Sequence, residues 1–342
     1  MDFRRDRCYL RVLHISYGSP MIELCKALRS KGIQAVSCHF DEHPYKFNPD
    51  ICLKLNSVPK KEREAKIQQF FQESRNKYDI FHFHFGETFF PDKRDLEILK
   101  LAGKKMVMHH HGSDIRLLSI ARKNNPYVIV KPEWTESKIN HNLSILSNYI
   151  DHAIVQDHEL EGYIRNSYKH VHVIPHTINV DQFKPEYPQV KKSPPLVVHA
   201  PSSRNIKGTE FILNAVRQLK DSGLSFEFKL IEGSSNEEAM KIFAKADIII
   251  DQLRIGASGY ISSEAMALGK PVICFIRGDL AAKYPDSPIV NATPDTIASV
   301  LGNLLKVPEQ WSELGKKGRA YIEQHHSVDK VVDQYVDIYN KL

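Results

Sequence analysis

The sequence predicts an α/β protein made of two doubly wound domains facing a cleft, and three observations carry that reading. Short apolar runs alternate with amphipathic stretches, the pattern of strands joined by crossover helices onto a parallel sheet. The alternation breaks at the Pro- and Lys-rich residues 184–195 and then restarts. The length of 342 residues exceeds that at which a single core usually stops growing.

In the first half, strands are expected at 9–15, 34–40, 80–85, 105–109, 127–130, 152–155 and 170–174, with helix-like segments between several of them, notably 21–31 and 62–75. Pro194 and Pro195 can continue neither a helix nor an inner strand, so residues 184–195 read as a linker between domains at 1–183 and 196–325. The second half repeats the rhythm, with strands at 196–200, 227–231, 246–250, 271–275 and 289–291. Its helices are expected at 209–219, 236–245, 262–268, 293–305 and 308–324. Residues 326–342 end the chain as an amphipathic helix, whose Val328, Val331, Val332, Tyr335, Val336 and Ile338 form a stripe that must pack on something.

Composition excludes several classes. The net charge of +6 is spread along the chain without a long basic block, which gives no argument for nucleic acid. Five cysteines without CxxC spacing read as reduced, mostly buried thiols. The first residues lack the pattern of a signal peptide, and no apolar run approaches the roughly 20 residues that span a bilayer. A cytoplasmic protein is expected, with peripheral contact at the inner face of a membrane left open. No Walker A, G-x-G-x-x-G, HExxH or EF-hand pattern occurs. Seventeen histidines invite a metal, but the alternating His82 and His84 and the consecutive His109, His110 and His111 read as diverging across faces, so none is expected.

In a doubly wound sheet, ligands sit beyond the C-terminal ends of the strands, which directs attention to four junctions. Gly18 and Ser19, after the first strand, can offer backbone N–H groups to a phosphate or simply shape a turn. His111 and Asp114 follow the strand at 105–109. His111 can bond a substrate hydroxyl or cap its loop, and Asp114 can brace that turn or touch ligand. Asn179 and Asp181 can cap the chain where it leaves the first half, as a hinge. Arg204 and Lys207 lie between the first strand and helix of the second half, beside Gly208. There two cations can clamp a diphosphate leaving group.

The most informative stretch is Gly256, Ala257, Ser258, Gly259, Tyr260 and on through Glu264 to Ile273. Small residues after a buried strand let a ligand approach the backbone. Glu264 is expected near the first turn of the following helix, where the dipole tolerates its charge.

These segments resemble the retaining glycosyltransferases of family 4, which have two Rossmann-like domains in the glycosyltransferase-B arrangement. The matching pieces are residues 111–115, 173–183, Arg204 with Lys207 and Gly208, and 256–272, with Glu-Ala-Met-Ala-Leu-Gly-Lys-Pro-Val the most specific. The resemblance implies transfer of a hexose-like sugar from a nucleotide-diphosphate donor to a hydroxyl acceptor, with retained configuration and without a metal or other cofactor. It places Arg204 and Lys207 on the diphosphate, Glu264 on the ribose, Ala257 to Gly259 beside the sugar or phosphate, and Gly18 opposite. His111 falls beside the transferred sugar, and the last helix returns to the first domain. The acceptor, whether glycan, lipid-linked or small molecule, is not specified.

The chain departs from the family at Gly256, eight residues before Glu264, where a glutamate normally helps hold the donor sugar. It also has a single Gly18 where a glycine pair is common, and His176-Thr177 where Asn-Gly is common. The loss at position 256 motivates a second reading, a non-catalytic nucleotide-sugar binder or partner subunit. A nucleotide-sugar epimerase of the same architecture is a third.

Overall fold

The computed structural model describes residues 10–16, 18–190 and 194–342. Cys8, Tyr9 at the start of the first expected strand, and Lys191, Lys192 and Ser193 of the expected linker lie outside the described residues.

Two parallel sheets form, one in each half. The first contains β1 (Arg11–Ile15), β2 (Gln34–His39), β3 (Ile51–Cys52), β4 (Ile80–His84), β5 (Lys105–His109), β6 (His152–Val155) and β7 (His170–Val173), in the order β3-β2-β1-β4-β5-β6-β7. The second contains β8 (Leu196–His199), β9 (Glu227–Leu230), β10 (Ile248–Ile250), β11 (Val272–Cys274) and β12 (Val290–Asn291), in the order β12-β11-β10-β8-β9. Strand order reverses between β1 and β4 in one sheet and between β8 and β10 in the other. At each reversal the crossover helices leave to opposite faces, so the loops part and open a crevice. The two α/β domains thus face one another across a cleft.

Alternation along β1, β4 and β5 divides the residues of the first sheet between two layers. Leu13, Ile15, Phe81, Phe83 and Met108 enter one core, together with Phe71 of the helix Lys60–Lys77 and Leu143 and Leu146 of the helix Glu136–Tyr149. Val12, Ile80, Val107 and Ile154 enter the other, under Leu24, Cys25 and Leu28 of the helix Ser19–Ser30. Val331, Val332, Tyr335, Ile338 and Tyr339 of the last helix, Val328–Lys341, complete that second layer. The chain crosses back at Ile178 and Ser327: Ile178 N donates to His326 O at 2.7 Å and Val328 N to Ile178 O at 3.2 Å.

The strand expected at 127–130 does not form. Asn125 holds this segment as a turn: its Oδ1 accepts from Tyr127 N at 3.0 Å, and its Nδ2 donates to Arg254 O at 2.7 Å and Ile255 O at 2.9 Å in the second domain. The helices Arg94–Leu101, Glu136–Tyr149 and His158–Ile164 add elements beyond those anticipated. Within the expected linker, Glu186 N donates to Leu268 O at 2.9 Å. Cys25, Cys38, Cys52 and Cys274 are free thiols. No helix among the described residues is long and apolar enough to cross a membrane.

Candidate active site

The cleft has a volume of about 980 Å³, enough for a nucleotide-sized ligand. On the first-domain side, Gly18 is the N-cap of the helix Ser19–Ser30, with no side chain capping it and no acid in its first turn. Pro20 in its first turn has no N–H, so the positive dipole end and the amides of Ser19 and Met21 are what it offers an anion, with no side-chain cap among the described residues. Gly18, Ser19 and His111 line the cleft.

Asp114 is absorbed by its own loop. Its Oδ1 accepts from His111 N at 3.0 Å and Gly112 N at 2.9 Å, and its Oδ2 meets His110 Nδ1 at 2.7 Å. These bonds brace the turn.

Behind His111 stands a layer of imidazoles. The expectation that the histidines diverge is corrected here: residues two apart on a strand share a face, and parallel register sets His14 beside His82 and His84 beside His109. His14 Nδ1 lies 3.1 Å from His84 Nε2, and His84 Nδ1 lies 3.0 Å from His111 Nε2. Burial, then neighbouring charge, lowers His14 to about 3 and holds His82, His84, His109 and His111 well below the ordinary histidine value, so the layer is neutral. Two trios, His14, His82, His84 and His84, His109, His111, bring ring nitrogens within 4.8 Å of one another, so neutral imidazoles do converge as a metal would require. The spacings of 3.0 and 3.1 Å are those of N–H···N bonds, and tetrahedral ligands at about 2.0–2.1 Å from zinc would stand farther apart.

The second-domain wall is built around Asp251, just after β10. Its Oδ1 accepts from Lys207 Nζ at 2.8 Å, while its Oδ2 accepts from Gly259 N at 2.8 Å and Ser262 Oγ at 2.7 Å. Burial opposes this charge, but Lys207 and the hydrogen bonds outweigh it and hold the carboxyl below its usual value. A Cβ on Gly259 would stand 2.7 Å from Asp251 Oδ2 and 2.9 Å from Lys207 Nζ, so only glycine fits this hub. Gly259 in turn is the N-cap of the helix Tyr260–Ala267, again with no side-chain cap and no acid in the first turn. Lys207, Ala257, Ser258, Gly259 and Tyr260 all line the cleft.

Two expectations change on this wall. The helix starts at Tyr260, two residues earlier than anticipated, so Glu264 stands in its second turn rather than its first. There burial pushes its carboxyl up to about 8 despite a bond from Asn236, and it is protonated at neutral pH while lining the cleft. Gly256 does not line the cleft. Its φ is +83°, and an added Cβ would lie 2.4 Å from Arg277 Cγ, so the stem of Arg277 fills the space of any side chain there.

Lys207 thus lies within the cleft wall, whereas Arg204 lies at the surface, paired through Nε and Nη2 with Glu232, whose Oε1 is 2.7 Å from Nε. The segment Arg204–Lys207 is a short helical turn rather than an open loop.

The cleft also recruits residues that the sequence did not mark. Glu87, after β4, has its carboxyl raised by burial. His176 stands between the domains, its ring parallel to that of His111 at 6.4 Å and edge-on to Tyr260 at 5.2 Å. His43, Tyr45 and Phe47 contribute a ring cluster to the cleft, with His43 and Phe47 4.6 Å apart. Of the aromatic residues between 81 and 90, Phe81, Phe83, Phe89 and Phe90 are buried in the core, whereas Phe85 lines the cleft. His176 was marked in sequence only as a departure from Asn-Gly; for the others only the residue type was visible, since no motif marks a loop that another domain will cover.

No protein-family model matches the sequence. A trehalose synthase of Pyrococcus horikoshii is 24% identical over an alignment of 253 residues, and the match covers 66% of this chain and 59% of that protein. Among solved structures, sucrose-phosphate synthase of Thermosynechococcus elongatus superposes with a TM-score of 0.70 at 16% identity, covering 97% of this chain and 98% of the other. Anabaena HepE in complex with UDP-glucose gives 0.69 at 12% identity, covering 98% and 100%. At these identities the likeness is one of fold, and the fold is the glycosyltransferase-B type.

Proposed function

We propose that the chain is a retaining glycosyltransferase, moving a sugar from a nucleotide-diphosphate donor to a hydroxyl acceptor in polysaccharide, glycolipid or small-glycoside synthesis. One observation carries this reading. Two uncapped helix N-termini, at Ser19 and Tyr260, line one interdomain cleft together with Lys207. Amides, aligned dipoles and a cation are what a departing diphosphate needs as charge builds on it. The complex of Anabaena HepE, of the same fold, holds UDP-glucose.

In this reading Lys207 and the first amides of the helix Tyr260–Ala267 take the diphosphate, and Arg204 reaches it from the rim by exchanging its partner Glu232. Glu264 holds the ribose, Ala257 and Ser258 approach the sugar, Gly18 and Ser19 face them, and His111 stands beside the transferred sugar. No metal is assigned a role. The acceptor enters past the rings of His43, Tyr45 and Phe47. Residues 184–195 serve as the linker between the two domains.

Calorimetric titration with UDP, GDP and ADP tests the reading. Saturable binding of one of them, weakened at least tenfold by Arg204→Ala and Lys207→Ala, is expected; no binding across the panel removes its support. The position of Arg277 favours keeping a second reading, a binder without transfer activity, because no donor-holding acid can occupy position 256. Donor binding without sugar transfer across a broad acceptor panel would establish that alternative, and conversion of the donor without acceptor would establish an epimerase.

A further inference from the structure

We propose that Tyr339, on the last helix, sets which ring nitrogen of His111 carries the proton at the cleft, acting through His14 and His84 as a positioning residue. The function of this device rests on the reading of the cleft given above; its existence does not.

The connection is continuous. Tyr339 Oη lies 2.6 Å from His82 Nδ1 and 3.3 Å from His14 Nε2. From there His14 Nδ1 meets His84 Nε2 at 3.1 Å, and His84 Nδ1 meets His111 Nε2 at 3.0 Å. Each imidazole is held neutral by burial, so each carries one N–H and one lone pair and can only donate at one side and accept at the other. The direction of the first bond therefore fixes every later one. If the phenol donates to His82, then His14, His84 and His111 each donate through Nε2 toward the phenol, and His82 also bears its proton on Nε2. If the phenol accepts from His82, all four rings hold the proton on Nδ1. A mixed state sets two N–H groups or two lone pairs face to face, or turns the phenol proton away from both rings, and so loses a bond.

The distances select the first polarity. An O–H donor gives the shorter bond and an N–H donor the longer. The 2.6 Å contact is thus the phenol donating to His82, and the 3.3 Å contact is His14 Nε2 donating to the phenol oxygen. His111 then keeps the lone pair on Nδ1, which is buried at the cleft wall. The far end is sealed: His82 is fully buried and its Nε2 has no hydrogen-bond partner among the described residues. A chain that stops inside the core cannot deliver protons from solvent, so its effect is orientation. It also ties the C-terminal helix, far along the sequence, to the ring at the mouth of β5.

Long-range proton–nitrogen correlation spectra of the full chain labelled with ¹⁵N-histidine test this without any ligand or turnover. His14, His82, His84 and His111, each assigned through its own His→Gln variant, are expected to show the Nε2–H form together. His199 supplies the internal reference, because its Nδ1 faces the carbonyl of Ile250 at 2.9 Å and must carry the proton. Tyr339→Phe is expected to convert the single-form pattern of His111 into a mixture while leaving His199 unchanged. The proposal is overturned by differing forms among the four rings in the unaltered protein, which decides the matter even if the variant does not fold. It is equally overturned by an unchanged His111 pattern in folded Tyr339→Phe, or by stoichiometric zinc with ligation shifts at His84 and His111.

Discussion

The two walls of the cleft handle buried ionisable groups in opposite ways. On the first-domain side, His14, His82, His84, His109 and His111 are neutral, because desolvation lowers an imidazole's pKa and a neutral ring remains a competent hydrogen-bonding group. On the second-domain side Asp251 stays ionised, although it is buried, because Lys207, Gly259 and Ser262 surround it. A neutral wall can orient a sugar hydroxyl without attracting charge. An ionised hub holds the loop that presents amides and a cation to an anion. In the proposed reading, the charged leaving group belongs to the second domain and the uncharged sugar to the first.

The sharpest way to break this comparison is to remove the cation from the charged wall. Lys207→Met leaves Asp251 buried and unpaired, and denaturant unfolding at neutral pH should show a loss of about 3–5 kcal/mol. The sign with pH is specific. A carboxyl depressed in the folded state contributes stability above its unfolded pKa and loses it as pH falls, so the gap between Lys207→Met and the unaltered protein should narrow on acidification. A loss below about 1 kcal/mol would mean that the hub is an ordinary surface pair.

Gly256→Glu restores the acid that the resemblance leads one to expect, and here it should cost on the order of 3 kcal/mol, through left-handed strain and overpacking against Arg277. It should create no transfer activity, since the position does not face the cleft. A stable Gly256→Glu protein with enhanced turnover would contradict that placement.

Glu264 sharpens the comparison from within, as a carboxyl on the charged wall that burial keeps protonated. Its folded value of about 8 lies above its ordinary 4.5, so across that window the folded state retains a proton that the unfolded chain releases. Stability should therefore fall as pH rises, by at most about 1.4 kcal/mol per pH unit. Glu264→Gln should lack this component. Parallel stability profiles of the two proteins between pH 5 and 8 would refute the shift.

The smallest effect belongs to the neutral wall. Both ring nitrogens of His109 are buried without a hydrogen-bond partner among the described residues. His109→Phe keeps a flat ring and removes two orphaned polar atoms, so unfolding experiments should show a change of less than about 1.5 kcal/mol. A loss as large as that from Lys207→Met would show that the histidine layer is held by an interaction of a different kind.

The parallel sheets and the loops at their C-terminal edges were legible because alternating apolar runs report burial along each strand. The stripe of the last helix was legible too, since Val331, Val332 and Tyr335 recur at helical spacing. What the pattern hides is register between strands. His14 meets His82 and His84 meets His109 only because β1, β4 and β5 align in one particular offset. The same limit concealed the φ of Gly256, which depends on the packing of Arg277, and the true start of the helix bearing Glu264, which depends on the Asp251 hub. The turn at 126–130 read as a strand because Tyr127, Val128, Ile129 and Val130 are apolar and mostly β-branched, while the partner that overrides this propensity, the 254–255 backbone, lies in the other domain.

The most direct measurement is a crystal structure of the protein with a saturating nucleoside diphosphate. The account predicts phosphate oxygens within about 3 Å of the first amides of the helix Tyr260–Ala267 and of Lys207 Nζ, with the ribose at Glu264. A nucleotide whose phosphates sit away from that helix N-terminus, or a cleft that stays empty while nucleotide binds elsewhere, would contradict it.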